Sequence, residues 1–238
     1  MTSESAIRSV RTTLVDVPLR RPHRFATLSI EAQSMVIVEV LTDGGLVGIG
    51  EAVVPGGPWW GGESVEGMRA LIDRYLAPLV VGEDACRVEY LAAKLDRLVN
   101  GGSFAKAGVE MALWDVLGKL HGVPLHDLLG GLHRDSLPVT WAAGAEPADV
   151  VVAELVAKLA EGHASAKLKM GAEPPAADVA RVGTIAGKLA DRLSLRVDLN
   201  GSWDEPTARR WLPALADAGI EVVEQPVPAW HVAAMADL

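Results

Sequence analysis

Three charged residues recur at a steady rhythm in the second half of the sequence. Lys169 lies in "SAKLKMG" (165–171), Asp198 in "LSLRVDLN" (193–200) and Glu224 in "EVVEQPVP" (221–228). Each closes a short apolar run of strand type, and the intervals of 29 and 26 residues each hold one strand-plus-helix unit. Side chains alternate faces along a strand, so Lys167 and Lys169 point the same way, about 6.5 Å apart. Asp198 and Asn200 share a face by the same rule. If the strands run parallel, two cations and two carboxylates meet at one end of one sheet. Burying that set unpaired is costly. Asp198 and Glu224 offer hard oxygen donors that suit Mg2+ or Mn2+. Such an ion could bind a substrate carboxylate and stabilise an enolate-like anion. A lysine near a metal and a second ammonium has its charged form disfavoured, which tunes it for proton transfer near neutral pH. The spacing points to an acid/base pair, Lys167 and Lys169, aimed at an anionic small molecule. Taken singly, each lysine could equally snorkel to solvent, and each acid could cap the following helix. Recurrence at three strand ends favours a site.

The elements that must position these residues follow two patterns. From about Val139 the chain alternates: "PVTWAAGA", "SAKLKMG", "LSLRVDLN" and "EVVEQPVP" read as strands, each followed by a helical stretch. A βαβαβαβα order is the signature of a parallel sheet with crossover helices. In a barrel of such units, active sites sit at the C-terminal ends of the strands. The earlier part reads differently. "AIRSVRTTLVDVPL" is β-rich, and "SMVIVEVLTDGGLVGIGEAV" reads strand, turn, strand around Asp43-Gly44-Gly45. Three helices are expected after it. One starts at the N-cap Ser64, one is closed by Asn100-Gly101-Gly102, and one is stopped by Gly122 and Pro124. Strands followed by helices make an α+β unit, with Pro138 as the expected boundary.

Composition narrows the partners. The 238 residues are half hydrophobic, with a net charge of −9 and one cysteine, Cys86. That suits a globular chain with a sizeable core. It argues against nucleic acid or an anionic membrane surface as the main partner. A single cysteine forms no internal disulfide and fits a reducing compartment. Neither a signal-peptide pattern nor an apolar run near 18 residues is found, so a cytoplasmic location is expected. No P-loop, nucleophile elbow, zinc signature or dinucleotide fingerprint is found; "GGPWWGG" has the glycines but lacks the strand–helix context and reads as a loop.

"KLKMG", "RVDLNGSWD" and "VVEQPVP" resemble the strand-end motifs of the enolase superfamily, in its muconate lactonizing enzyme subgroup. "VVPGGPWWGGESVE", "SFAKAGVEMALWDVLGKLHGVPLHDLLGG" and "RPHRFATLSIEAQ" are similar to actinobacterial muconate and chloromuconate cycloisomerases. The resemblance spans essentially the whole chain. It implies an α+β capping domain over 1–137, with a three-stranded antiparallel sheet and helices. The first four βα units of a TIM-type (β/α)7β barrel would follow over 138–238. It implies Lys169 as general acid/base, Lys167 orienting and neutralising a substrate carboxylate, Asp198 and Glu224 as ligands of Mn2+ or Mg2+, and Asn200 supporting them from behind. Two loops of the capping domain, about 21–30 and 53–63, would close over the barrel mouth. His23, Arg24, Trp59 and Trp60 are the candidates there to shape the pocket. The implied reaction converts cis,cis-muconate, or a chloromuconate, to muconolactone through an enolate, in bacterial degradation of catechol-type aromatics. The implied partners are a small dicarboxylate and further copies of the chain.

The family's remaining metal ligand and second catalytic lysine come from its fifth and sixth barrel strands, and four strands are read here. The expectation is therefore a truncated and inactive or nearly inactive piece of the enzyme. A racemase, epimerase or o-succinylbenzoate synthase of the same superfamily is the alternative among enzymes, disfavoured by "PGGPWWGGES". A non-catalytic remnant that binds metal or an assembly partner is the alternative outside them.

Overall fold

The computed structural model describes residues 3–24 and 28–238, with the backbone alone for Ser3, Arg24 and Trp60. Two compact units emerge. The first takes the chain up to Arg20 together with Glu31–Asp135; the second takes Arg21–Ile30 and Ser136–Leu238.

Strands β1 (Ile7–Arg24), β2 (Ser29–Thr42) and β3 (Val47–Val53) form one sheet in the order β1-β2-β3, of which the part up to Arg20 and from Glu31 onward belongs to the first unit. Strands β2 and β3 pair antiparallel with Val38 opposite Gly50. The Asp43-Gly44-Gly45 turn joins them, and Gly45 takes φ +85°, a conformation that suits a residue without Cβ. One face of β2 buries Val36, Val38 and Val40 at strict alternation. The matching positions of β3 are Gly48, Gly50 and Ala52, and there is a reason for their smallness. A Cβ added at Gly50 would lie 1.9 Å from the Gly108 carbonyl oxygen, and one at Gly48 would lie 2.0 Å from that of Ala112. The helix backbone is seated directly on the strand.

Helix α1 (Pro58–Gly61) is a single turn in the stretch read from sequence as a loop. Its Pro58 opens the turn with φ preset. Helix α2 (Val65–Leu71) starts at the Ser64 cap, whose hydroxyl accepts from the Gly67 N–H at 3.1 Å. It runs through a π-helical turn (Ile72–Leu76) into α3 (Ala77–Val80). Helices α4 (Val88–Leu98), α5 (Ser103–His121) and the one-turn α6 (Leu125–Leu128) complete the unit. The core gathers Ile72, Leu76, Leu91, Leu95, Val109 and Leu113, among others, under the sheet. Each large aliphatic side chain buried there contributes about 1.5–3 kcal/mol by transfer from water.

The second unit holds β4 (Trp141–Ala143), β5 (Ser165–Lys169), β6 (Ser194–Asp198) and β7 (Val222–Glu224) in sequential order, each pair parallel. Helices α7 (Ala148–Ala160), α8 (Pro175–Leu189), α9 (Glu205–Asp217) and α10 (Val232–Asp237) follow the four strands in turn. These are the strand–helix units of a TIM-type barrel. Ala166, Leu168, Leu195 and Val197 face the helices and are fully buried with Val151, Leu155, Val182, Ile185 and Leu215. The alternate residues, Lys167, Lys169, Arg196 and Asp198, face the other way. Among the described residues no helix is long and apolar enough to cross a membrane.

Candidate active site

The parallel register places the three strand-end residues side by side: Lys169 opposite Asp198, and Asp198 opposite Glu224. Lys169 and Asp198 are 5% and 1% exposed. Lys169 Nζ donates to Asp198 Oδ2 at 2.6 Å and to Asn200 Oδ1 at 2.8 Å. Lys167 Nζ donates to Glu224 Oε2 at 3.1 Å and stands 3.5 Å from Asp198 Oδ2. The two lysines therefore share one carboxylate oxygen. Asn200 in turn donates through its side-chain amide (2.8 Å) and backbone N–H (3.0 Å) to Asp198 Oδ1. Both oxygens of the buried carboxylate are thus engaged. Burial alone would raise the Asp198 pKa. The hydrogen bond and charge of Lys169, the Asn200 N–H and the Lys167 charge overcome that and hold it below the ordinary carboxylate value.

The backbone turns sharply beyond all three strand ends. Asn200 has φ +50° and Gln225 has φ +43°, the two non-glycine residues with positive φ among the described residues. Gly171 turns at φ +91°, where an added Cβ would meet Ser202 Oγ at 2.3 Å. Left-handed residues of this kind cost conformational energy and gather at functional sites. The ladder also continues past the strands, with Met170 N–H on the Asp198 carbonyl and Leu199 N–H on that of Glu224. Turn and ladder together aim the side chains.

The predicted pocket residues divide. His23, at the end of β1, belongs to the second unit. Burial lowers its pKa first, then the positive charges of Arg21 and Lys169, against the opposing charge of Glu154. Trp59 lies in α1 of the first unit and is 78% exposed. The side chains of Arg24 and Trp60, and residues 25–27 of the expected loop, lie outside the described residues.

Sequence reading missed three features here. Arg21 pairs with Glu154 on α7, and the Trp141 indole N–H donates to the same carboxylate at 2.6 Å. Arg196 shares the face of Lys167 and opposes it in register, and its Nε is buried without a hydrogen-bond partner in the structure. The buried pair Asp178 and Arg181 sits behind Lys169. Period-2 alternation alone flags Arg196, two residues before Asp198; the others depend on long-range packing.

For a divalent cation the donors have the right chemistry. Asp198 and Glu224 present hard carboxylate oxygens at neighbouring register positions. Among the described residues no group of three His, Cys, Asp or Glu is placed to hold one ion. Mg2+ or Ca2+ takes about six or more oxygens, so the pair fits part of such a site.

Parallel βα units with lysines and carboxylates at the strand ends are the arrangement of an enolase-type barrel. The pattern of the mandelate racemase / muconate lactonizing enzyme N-terminal domain matches residues 7–130, and the enolase C-terminal domain-like pattern matches 151–238. The chain belongs to the mandelate racemase / muconate lactonizing enzyme family. It is 46% identical over 237 residues to muconate cycloisomerase 1 of Rhodococcus opacus, covering 99% of this chain and 64% of that protein. The crystal structure of 2-chloromuconate cycloisomerase from Rhodococcus opacus superposes with a TM-score of 0.95 at 47% identity, covering 98% of this chain and 63% of that one. The muconate lactonizing enzyme of Pseudomonas fluorescens, solved with muconolactone, also gives 0.95, at 38% identity over 98% of this chain and 63% of its own. The chain thus spans a little under two thirds of the relatives it matches.

Proposed function

We propose that this chain carries the first strands of the active site of a muconate or chloromuconate cycloisomerase, with Lys169 as proton donor. The observation that carries the reading is the buried Lys169 ammonium, held at 2.6 Å by Asp198 and at 2.8 Å by Asn200 at a barrel strand end. In the reaction one carboxylate oxygen of the substrate dianion adds across the diene, a C–O bond forms, and the electron pair moves onto the carbon skeleton as an enolate. Lys169 gives its proton to the enolate carbon and becomes neutral, completing the lactone. Lys167 offsets the charge of a substrate carboxylate. Asp198 and Asn200 keep the Lys169 ammonium pointed until it donates. A Mn2+ or Mg2+ ion held by Asp198 and Glu224 would supply electrostatic stabilisation of the developing anion. His23, Arg24, Trp59 and Trp60 are read as pocket-shaping residues, and the location as cytoplasmic.

Two carboxylates fill about a third of a six-oxygen shell, so turnover by the 238 residues alone is not expected. The test completes the chain with the remaining part of the Rhodococcus opacus muconate cycloisomerase 1 and follows loss of cis,cis-muconate absorbance. Turnover with added Mn2+, falling by about 10²–10⁴-fold in Lys169→Ala, supports the reading. Racemisation of N-acylamino acids without muconate loss would replace it with the racemase alternative. Tight Mn2+ binding with neither reaction would leave a non-catalytic metal-binding protein.

A further inference from the structure

Lys169 is gripped by its backbone as well as by its ammonium group. Where the chain leaves β5, two side chains of α8 reach back to the strand end. Asp178, 0% exposed, accepts from the Gly171 N–H through Oδ2 at 2.6 Å. Its Oδ1 accepts from Arg181 Nε at 3.1 Å and Nη2 at 2.7 Å. The same guanidinium donates to the Lys169 carbonyl at 2.5 Å and to the Glu146 carbonyl, in the loop after β4, at 3.3 Å. One buried ion pair therefore holds the carbonyl of Lys169, the amide two residues on, and the neighbouring strand's exit loop.

A pair needed only for packing has a poor rationale, because apolar side chains of similar volume often stabilise a buried position better. What this pair provides is geometry. The planar guanidinium spreads five donors over three nitrogens in a fixed fork and reaches three separated acceptors at once, a span that a lysine's single nitrogen does not offer. The turn has no slack on its other side, since Gly171 already packs against Ser202. A shift of the strand end by about 1 Å would take Lys169 Nζ out of hydrogen-bond range of Asp198 or Asn200. We propose that Asp178 and Arg181 are positioning residues that fix the height and direction of Lys169 for proton delivery, an inference that rests on the reading of Lys169 as proton donor.

The test uses the full 238-residue chain labelled with 15N at lysine Nζ, and reads the ammonium signals by NMR. Lys169 is assigned by the signal lost in Lys169→Arg. Arg181→Lys keeps a cation for Asp178 but cannot span Asp178 and the Lys169 carbonyl together, while Asp178→Asn keeps the shape and removes the charge. Both variants are expected to keep the circular dichroism of the parent and to shift or broaden the Lys169 signal. Lys94, paired with Glu83 at 2.6 Å in the first unit, should stay unmoved. A lower melting temperature with the Lys169 signal in place would overturn the proposal, leaving a structural pair. Loss of fold in Arg181→Lys, or no Lys169 signal in the parent, would overturn it too. In the completed enzyme Arg181→Lys should lower kcat on the order of 10²-fold with KM nearly unchanged. If Lys169→Ala retains turnover while the NMR result stands, the function reading fails and the positioning geometry survives without a catalytic purpose.

Discussion

The two units of this chain bury different things. In the first, the buried polar residues among those described are Ser5 and Thr42, and the core is otherwise apolar. Ion pairs such as Arg8–Asp43 and Lys119–Asp115 lie at the surface, where each adds about 0–1 kcal/mol, and Lys94–Glu83 is half-buried. The second unit buries Lys169, Asp178 and Asp198. Charge taken out of water costs several kcal/mol per ion before any partner offsets it. The first unit keeps charge where it costs little. The second accepts that cost at the strand ends, alongside the positive-φ turns at Asn200 and Gln225. Stability is given up at the strand ends where the proposed proton transfer would take place.

The sharpest way to break this contrast is to remove one buried charge. Lys169→Met leaves Asp198 inside with Lys167 at 3.5 Å as its remaining cation. The expected loss is about 3 kcal/mol in urea unfolding of the second unit. The double variant Lys169→Met/Asp198→Asn should recover most of it, because the orphaned charge is gone. The surface counterpart Arg11→Met, which deletes the pair with Glu39, should cost less than about 1 kcal/mol. Equal losses in Lys169→Met and Arg11→Met would dissolve the distinction between the units.

The complementary test puts bulk where the first unit relies on packing. Gly50→Ala pushes a methyl group against the Gly108 carbonyl at 1.9 Å, backbone against backbone, with no side chain able to swing away. Overpacking of this kind costs about 1–3 kcal/mol, and the upper end is expected here. Gly187→Ala in α8 meets nothing within 4 Å. It should gain a few tenths to about 1 kcal/mol from helix propensity.

Much of this was legible in the residues. Period-2 alternation and the repeating βα interval were enough to align Lys169, Asp198 and Glu224, because register in a parallel sheet follows from the apolar face. What the spacing could not show is which atoms meet: Lys169 takes Asp198 and Asn200, while Lys167 takes Glu224. The extent of β1 was also hidden. "PLRRPHR" carries Pro18 and Pro22, which read as the end of a strand, yet β1 runs to Arg24. It is an edge strand in the order β1-β2-β3, where a missing N–H can face outward. Asp178 and Arg181 were invisible for a different reason. An acid and a base at i,i+3 on a helix normally read as a solvated surface pair. Only the packing of α8 on β5 turns them inward.

The smallest expected effect separates the units by pH. His23 has its folded pKa lowered below 6.5, chiefly by burial and then by the Arg21 and Lys169 charges. As pH falls below 6.5 the unfolded state takes up the proton first, so stability is lost in that window as acidity rises. Cys86, in the first unit, has its pKa raised above 9.0 by burial and then by Asp84. There the unfolded thiol ionises first, so stability is lost as pH rises past 9.0. Asp198 and Asp84, both depressed below 3.8, add losses of one sign to both units at stronger acidity, below that value. The contrast between units therefore lies in the two outer windows and not in the carboxylate range. Hydrogen exchange of the β5 and β6 amides should quicken from about pH 6.5 downward, and that of β2 and β3 from about pH 9 upward. His23→Gln should flatten the first response and Cys86→Ser the second, each without touching the other. A His23→Gln variant that leaves the acid response of β5 and β6 intact would mean that the 21–30 segment does not sense the lysine cluster, and its place in the second unit would lose its functional meaning.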